Sequence, residues 1–134
     1  MNQEVLNWVK KASEDLKVAE HEMNLESDDI ITSAVCFHCQ QAIEKFLKAF
    51  LTSKNIRAGK THDLAYLMEQ CIKSDSDFEK LDREEIEKIT FYAIEVRYPE
   101  DFYIPSLEEA RECMGIARIL QDFVLRKLGF DGKI

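Results

Sequence analysis

Residues 30–54 carry apolar side chains at intervals of three and four, and the stretch contains neither proline nor glycine. This repeat matches the period of an α-helix. The apolar positions form an unusually wide face, made of Ile31, Val35, Cys36, Cys39, Ala42, Ile43, Phe46, Leu47, Ala49 and Phe50. A helix with so wide an apolar face must be covered on several sides. The stretch therefore predicts the central helix of a helical bundle.

Four other helices are predicted around this one. The first covers residues 3–24, and the third is short and follows Thr61, which we expect to cap its N-terminus. The fourth starts near residue 82 and ends at about residue 97, because the residue before Pro99 avoids the helical region.

The last helix begins with Ser106 and Glu109, which have the spacing of a capping box, and ends at Gly129. The expected fold is therefore all-α, an antiparallel up-down bundle of about five helices, four long and one short. A length of 134 residues fits one domain over residues 1–134.

Charge and hydropathy narrow the class of protein. The net charge is −8, and we expect no duplex-DNA binding because proteins that bind duplex DNA usually present a basic face. No apolar run is long enough to cross a membrane, and the first eleven residues carry three charges, unlike a secretory segment. We therefore expect a cytoplasmic protein without membrane contact.

The four cysteines do not form a recognisable ligand set. Cys36 and Cys39 have the C-x-x-C spacing, but they lie in the middle of a helix and no second pair follows. Structural zinc normally needs four well-placed ligands. We expect neither a metal nor another cofactor, and interpret the cysteines as small buried residues.

One face of the central helix is polar. His38, Gln41, Glu44, Lys45 and Lys48 fall on this face, because residues three and four apart lie above one another. One interpretation is a solvated face with a surface pair between Glu44 and Lys48. The other is a site for an anion, with His38, Gln41, Lys45 and Lys48 as contacts.

The loop after the central helix is locally basic. Lys54, Arg57 and Lys60 precede His62, and no acidic residue lies between Thr52 and Thr61. This segment is a candidate anion site in an otherwise acidic chain, although most basic loops serve solubility.

Arg97 continues the inward-facing line of the fourth helix. It has two interpretations: a structural pair with a buried acid such as Glu44, or a forked contact to a phosphate. Aromatic and apolar residues lie on the outer side of the same helix and its loop. A symmetric self-contact is the simplest explanation for them. The predicted dimer residues are Phe91, Ile94, Tyr98, Phe102 and Tyr103.

Three segments resemble motifs of the HEPN domain family. They are residues 37–49 of the central helix (FHCQQAIEKFLKA), residues 61–64 (THDL) and residues 97–99 (RYP). The resemblance implies a helical bundle that forms a homodimer, with its functional site in the groove between the fourth helices. It implies one of two roles: a ribonuclease toxin, or a partner or substrate-binding subunit of a minimal nucleotidyltransferase.

In the ribonuclease members, four to six residues separate the arginine from a following histidine. Here the residues after Arg97 in that register are Phe102, Tyr103 and Ile104, and no histidine follows His62. Cleavage of RNA needs a proton acceptor and a proton donor, and phenylalanine supplies neither. We therefore expect a member without catalytic residues.

The leading hypothesis is a dimeric partner of a minimal nucleotidyltransferase that binds a nucleotide or RNA phosphate. Arg97 is its central contact, and Lys45, Lys48, His62, Gln41 and His38 are secondary. One alternative is an endoribonuclease of a toxin–antitoxin pair, using Arg97 with Tyr103 or His62. The other is a protein-interaction domain without a small ligand, supported by the aromatic residues around the fourth helix.

Overall fold

The computed structural model describes residues 2–93 and 102–130. Within these two ranges the chain is helical and forms no strand, which confirms the all-α class. The α-helices are α1 (Gln3–Met23), α2 (Thr32–Ser53), α3 (Leu64–Ser74), α4 (Arg83–Lys88) and α5 (Leu107–Lys127). Short 3₁₀ turns cover Ser27–Asp29, Ser76–Lys80 and Ile89–Tyr92.

Helix α2 lies at the centre, as its wide apolar face predicted. Thirteen of its residues between Val35 and Leu51 are buried, more than in any other helix of the described residues. Helix α1 runs antiparallel to it, since the backbone N–H of Ile31 donates to Glu22 near one end and Lys48 lies over Trp8 near the other. The core therefore surrounds α2 and is closed by the remaining helices.

Helix α5 runs parallel to α2. The hydroxyl of Thr32 donates to the carbonyl oxygen of Pro105 at a distance of 2.7 Å, which joins the starts of the two helices. Farther along, the ring of Phe78 lies between Phe50 and Phe123, with centroid distances of 4.6 and 4.8 Å. Edge-to-face and tilted ring pairs of this kind add to the energy of apolar burial.

The fourth helix is shorter than the sequence predicted. We expected it to continue to about residue 97, but α4 ends at Lys88 and a 3₁₀ turn follows over Ile89–Tyr92. Ile89 and Thr90 are β-branched, which weakens the helix, and the Thr90 hydroxyl accepts a hydrogen bond from the backbone N–H of Leu64. The described residues thus contain three long helices, not four.

The helix ends follow local capping rules. The capping box of Ser106 and Glu109 is confirmed. The prediction that Thr61 caps α3 is wrong, because the cap is Asp63, whose carboxylate accepts from the N–H of Ala65. Thr61 instead accepts from the N–H of Asp63 and so braces the cap.

The loop after α2 begins with a defined turn. Asn55 has a φ of 60°, and the N–H of Ile56 donates to the carbonyl of Leu51 at 2.9 Å. This is the hydrogen bond of a Schellman motif, which satisfies a carbonyl at a helix end. The loop then runs back along α2, where the carbonyl of His62 accepts from Gln40.

The four cysteines are free and buried, as the sequence indicated. Burial raises the pKa of the Cys39 and Cys71 thiols far above the ordinary range, so both remain protonated. In the part of the chain that is described, no helix is long and apolar enough to cross a membrane.

Candidate functional site

Two carboxylates organise the polar face of α2. The first is Glu44, which is 3% exposed. Its Oε2 accepts from Nζ of Lys48 at 3.0 Å, and its Oε1 accepts from Nδ1 of His62 at 2.7 Å. Nε2 of Gln40 also donates to Oε1, at 3.1 Å. A buried carboxylate is tolerated only when it is paired and hydrogen-bonded, and Glu44 meets both conditions.

The second carboxylate is Asp15 on α1. Its Oδ2 accepts from Nζ of Lys45 at 2.6 Å, and its Oδ1 accepts from Nδ1 of His38 at 2.9 Å. The side chains of Asp15, Lys45 and His38 are 13%, 22% and 29% exposed. These contacts fasten α1 to α2 across the edge of the core, where partial burial makes ion pairs stronger than on the open surface.

The structure brings five of the six predicted ligand contacts together on one side of α2, because His62 returns to that side through the loop. They are His38, Gln41, Lys45, Lys48 and His62. The sixth, Arg97, lies outside the described residues, as do Ile94 and Tyr98 of the predicted dimer surface.

These residues differ in how accessible they are. The surface-pair interpretation of Glu44 and Lys48 is wrong, because both residues are only 3% exposed. His62 has the most open side chain of the set, at 58%. A ligand reaching this face would meet His62 first, and would have to draw Lys45 away from Asp15.

Gln40, Asp15 and Trp8 are parts of the site that the sequence did not indicate. Gln40 is fully buried and links Glu44 to the carbonyl of His62. Nζ of Lys48 lies 5.5 Å from the centre of the Trp8 ring, a cation–π distance. The helical spacing of Trp8 and Asp15 matched no motif, and only the packing of α1 on α2 brings them here.

An exposed aromatic patch lies at the start of α5. Phe91, Phe102 and Tyr103 are 67%, 66% and 45% exposed, and the rings of Phe91 and Tyr103 pack edge to face at 5.5 Å. Ile104, which is 82% exposed, extends the patch. Apolar surface gathered in this way is typical of an interaction site.

Glu109 anchors this patch. It accepts from the hydroxyl of Tyr103 at 2.6 Å and from that of Tyr92 at 2.7 Å. These hydrogen bonds, with one from the N–H of Ser106, lower the pKa of Glu109 to about 2. The same contact raises the pKa of the Tyr103 phenol, which makes it a poor proton acceptor.

The polar face holds both hydrogen-bond donors and the two carboxylates Asp15 and Glu44. Within residues 2–93 and 102–130, no three His, Cys, Asp or Glu side chains are grouped so that they could hold a metal ion. The polar face instead combines ammonium, imidazole and amide donors, which are the groups that bind phosphate oxygens.

Comparison with known proteins identifies the family. No curated protein and no solved structure matches the chain. A family model described as HEPN domain matches residues 5–128, which include α1 to α5 almost completely. This match supports a helical module related to nucleotides or RNA. With its helical bundle and a match over nearly its whole length, the chain belongs to the HEPN domain family.

Proposed function

We propose that this chain is a non-catalytic HEPN module that binds a nucleotide or RNA phosphate. In this proposal it acts as a homodimeric partner or substrate-binding subunit of a minimal nucleotidyltransferase. Arg97 is the central phosphate contact, because a guanidinium offers two parallel donors to a phosphate. Lys45, Lys48, His62, Gln41 and His38 are secondary contacts.

The positions of the histidines in the sequence support the proposal that the protein is not a catalyst. The chain has three histidines, and none of them follows Arg97. His38 donates to Asp15 and His62 donates to Glu44. Both of these histidines precede Arg97 in the chain, so neither occupies the position of the ribonuclease histidine, which supports a binding role.

The polar face of α2 supports the phosphate part. Lys45 and Lys48 are held by Asp15 and Glu44, and the two carboxylates keep the ammonium groups from folding onto other surfaces. A phosphate that displaces Asp15 gains Lys45 and His38 together. Asp15 competes with the phosphate for these two donors, so binding exchanges one anionic partner for another.

The aromatic patch supports the partner role. Phe91, Phe102 and Tyr103 present exposed rings on one side of the bundle, and Glu109 fixes two neighbouring tyrosine hydroxyls. Rigid aromatic side chains are favoured at protein interfaces because they bury much area at little entropic cost. We propose that a second copy of this chain covers the patch.

Isothermal titration with ATP, GTP and short RNA tests the ligand part. Binding by wild type that Arg97→Ala reduces about tenfold or more supports it, since a charged hydrogen bond is lost. Arg126→Ala is the matched control, because Arg126 is an exposed arginine in the last turn of α5. No binding by wild type, or equal loss in both variants, contradicts the ligand part and favours a ligand-free interaction domain.

The endoribonuclease alternative has less support. It needs Tyr103 or His62 as the proton-transfer group beside Arg97. The Tyr103 hydroxyl donates to Glu109, which raises its pKa and opposes its use as a base. The Nδ1 atom of His62 is held by Glu44, on the polar face of α2.

A further inference from the structure

A groove of about 540 Å³ lies between the first turns of α1 and the loop that follows α2. None of the proposed phosphate contacts lines it, but one of them, Lys48, touches its wall through Trp8. Trp8 and Glu4 line it from α1, Thr52 lines it from α2, and Asn55 and Arg57 line it from the loop. Its volume is within the range of pockets that hold small organic ligands.

The groove contains an aromatic wall. Trp8 is partly buried and is the one tryptophan of the chain. Lys48 is 4% exposed in its side chain and holds its ammonium 5.5 Å from the ring centre, so the ring is fixed against α2. A fixed indole at the wall of an open groove suits a flat partner, because stacking then costs little side-chain entropy.

The two sides of the groove differ in charge. Arg57 lies on the loop side, in a segment that carries Lys54, Arg57 and Lys60 and no acidic residue. Glu4 lies on the α1 side, one helical turn before Trp8 and on the same face. A ligand with an anionic end and an amine-bearing flat end would match this arrangement.

The loop that forms one side of the groove is held in place by hydrogen bonds at both of its ends. Asn55 takes the left-handed conformation, and the N–H of Ile56 is bonded to the carbonyl of Leu51 at 2.9 Å. At the far end of the loop, His62 is bonded to Glu44. Arg57 therefore belongs to a segment whose two ends are fastened to α2.

We propose that this groove binds a single nucleotide, with the base against Trp8 and the phosphate at Arg57. The ligand class agrees with the proposed function, but the site does not depend on Arg97. Glu4 accepts from an exocyclic amine, so the groove prefers adenine to uracil, which has no such amine. Thr52 and Asn55 supply neutral donors and acceptors to the sugar and base edge.

Another large groove of the described residues has a different lining. It lies between α1 and α5, has a volume of about 660 Å³, and contains no aromatic ring. Lysines and carboxylates are mixed along it, including Lys10, Glu14, Lys17 and Asp122. It therefore lacks both the stacking surface and the separation of charge on which the proposal depends.

Fluorescence of Trp8 tests the proposal without a label. We expect AMP to quench the emission of the full-length protein saturably, and UMP, adenosine and ribose 5-phosphate to bind more weakly. Arg57→Gln should weaken AMP binding about tenfold, the effect of losing one charge-assisted contact. Arg111→Gln, an exposed arginine near the start of α5, should leave it unchanged.

A second pair of variants tests the stacking by calorimetry. Trp8→Phe keeps an aromatic wall and should retain most of the AMP affinity, whereas Trp8→Leu should lose about fivefold or more. Circular dichroism establishes that both variants are folded. Arg97→Ala should bind AMP in this groove like wild type, so failure of the Arg97 site and failure of the groove give different results.

The proposal is overturned by any of three results. AMP produces no saturable quenching, Arg57→Gln binds AMP as well as wild type does, or ribose 5-phosphate binds as tightly as AMP. The last result would show an anion site in which the indole has no role.

Discussion

The ammonium of Lys48 lies 3.0 Å from a carboxylate oxygen of Glu44, and both side chains are only 4% exposed. Helical pairs four residues apart are ordinarily surface features worth a few tenths of a kcal/mol. Here the pair is covered by Trp8 and by the returning loop, and Gln40 and His62 complete its hydrogen bonds. It therefore has the properties of a buried ion pair.

Breaking this pair should be costly. Lys48→Met leaves the Glu44 carboxylate buried without its cation, and we expect it to lower the free energy of unfolding by about 3 kcal/mol. The double variant Lys48→Met with Glu44→Gln removes both charges and should be more stable than Lys48→Met alone. Urea denaturation at pH 7 measures the free energy of unfolding of the single and the double variant. A loss below about 1 kcal/mol for Lys48→Met would mean that the pair acts as a surface pair.

The Asp15 contacts make a prediction about ligand binding. Lys45 and His38 must leave Asp15 before they contact a phosphate, so Asp15→Asn should raise the affinity for RNA or ATP about threefold or more. The same change should cost about 1 kcal/mol of stability because a charge-assisted pair is lost. Titration calorimetry and urea denaturation test the two effects. Unchanged or weaker binding by Asp15→Asn would remove Lys45 and His38 from the set of ligand contacts.

The hydrogen bonds of Glu109 should make the free energy of unfolding depend on pH in the acidic range. Its folded pKa is lowered from 4.5 to about 2, chiefly by the Tyr103 hydroxyl. Such a group stabilises the fold above its unfolded pKa, and the contribution disappears as pH falls through the folded pKa. Wild type should therefore exceed Glu109→Gln in stability at pH 6, and the difference should shrink between pH 4.5 and 2.

Urea midpoints at pH 6, 4 and 2.5 measure this difference. Glu112→Gln, three residues farther along α5 and exposed, is the control for loss of a carboxylate. A difference between wild type and Glu109→Gln that stays constant over this range would contradict the assignment.

The aromatic patch predicts self-association. Phe91→Glu or Phe102→Glu places a charge in the proposed contact, and we expect either variant to be monomeric where wild type is a dimer. Ile119→Glu is the matched control, because Ile119 is 64% exposed on α5 and lies outside the patch. Sedimentation equilibrium measures the assembly. A monomeric wild type, or a dimer that all three substitutions leave intact, would contradict the proposed interface.

The sequence predicted the features that depend on local periodicity and spacing. The central position of α2, the capping box of Ser106 and Glu109, and the family follow from patterns within short segments. Phe78 was missed because it is a single apolar residue in a polar segment, and its burial depends on contacts with Phe50 and Phe123. Its role arises from tertiary packing, which no local pattern records.

Tertiary contacts that no local pattern records also shape the candidate site. Spacing along α2 predicted that His38, Lys45 and Lys48 share a side and that Glu44 pairs with Lys48, but not that this pair is buried or that Asp15 holds His38 and Lys45. Those pairings depend on how α1 crosses α2 and on the path of the loop from Lys54 to His62. The prediction of one unbroken fourth helix was wrong beyond Lys88 for a related reason, because the hydrogen bond between Leu64 and Thr90 joins residues far apart in sequence. The predicted end at about residue 97 lies outside the described residues.

One assay tests the central claim, that the protein binds RNA phosphate and does not cleave RNA. End-labelled structured RNA is incubated with saturating wild-type protein, Arg97→Ala or Arg126→Ala, and each mixture is divided between a native and a denaturing gel. We expect wild type and Arg126→Ala to shift intact RNA, and Arg97→Ala to shift it weakly. RNA cleavage that Arg97→Ala abolishes, or the absence of any shift with wild type, would contradict the claim.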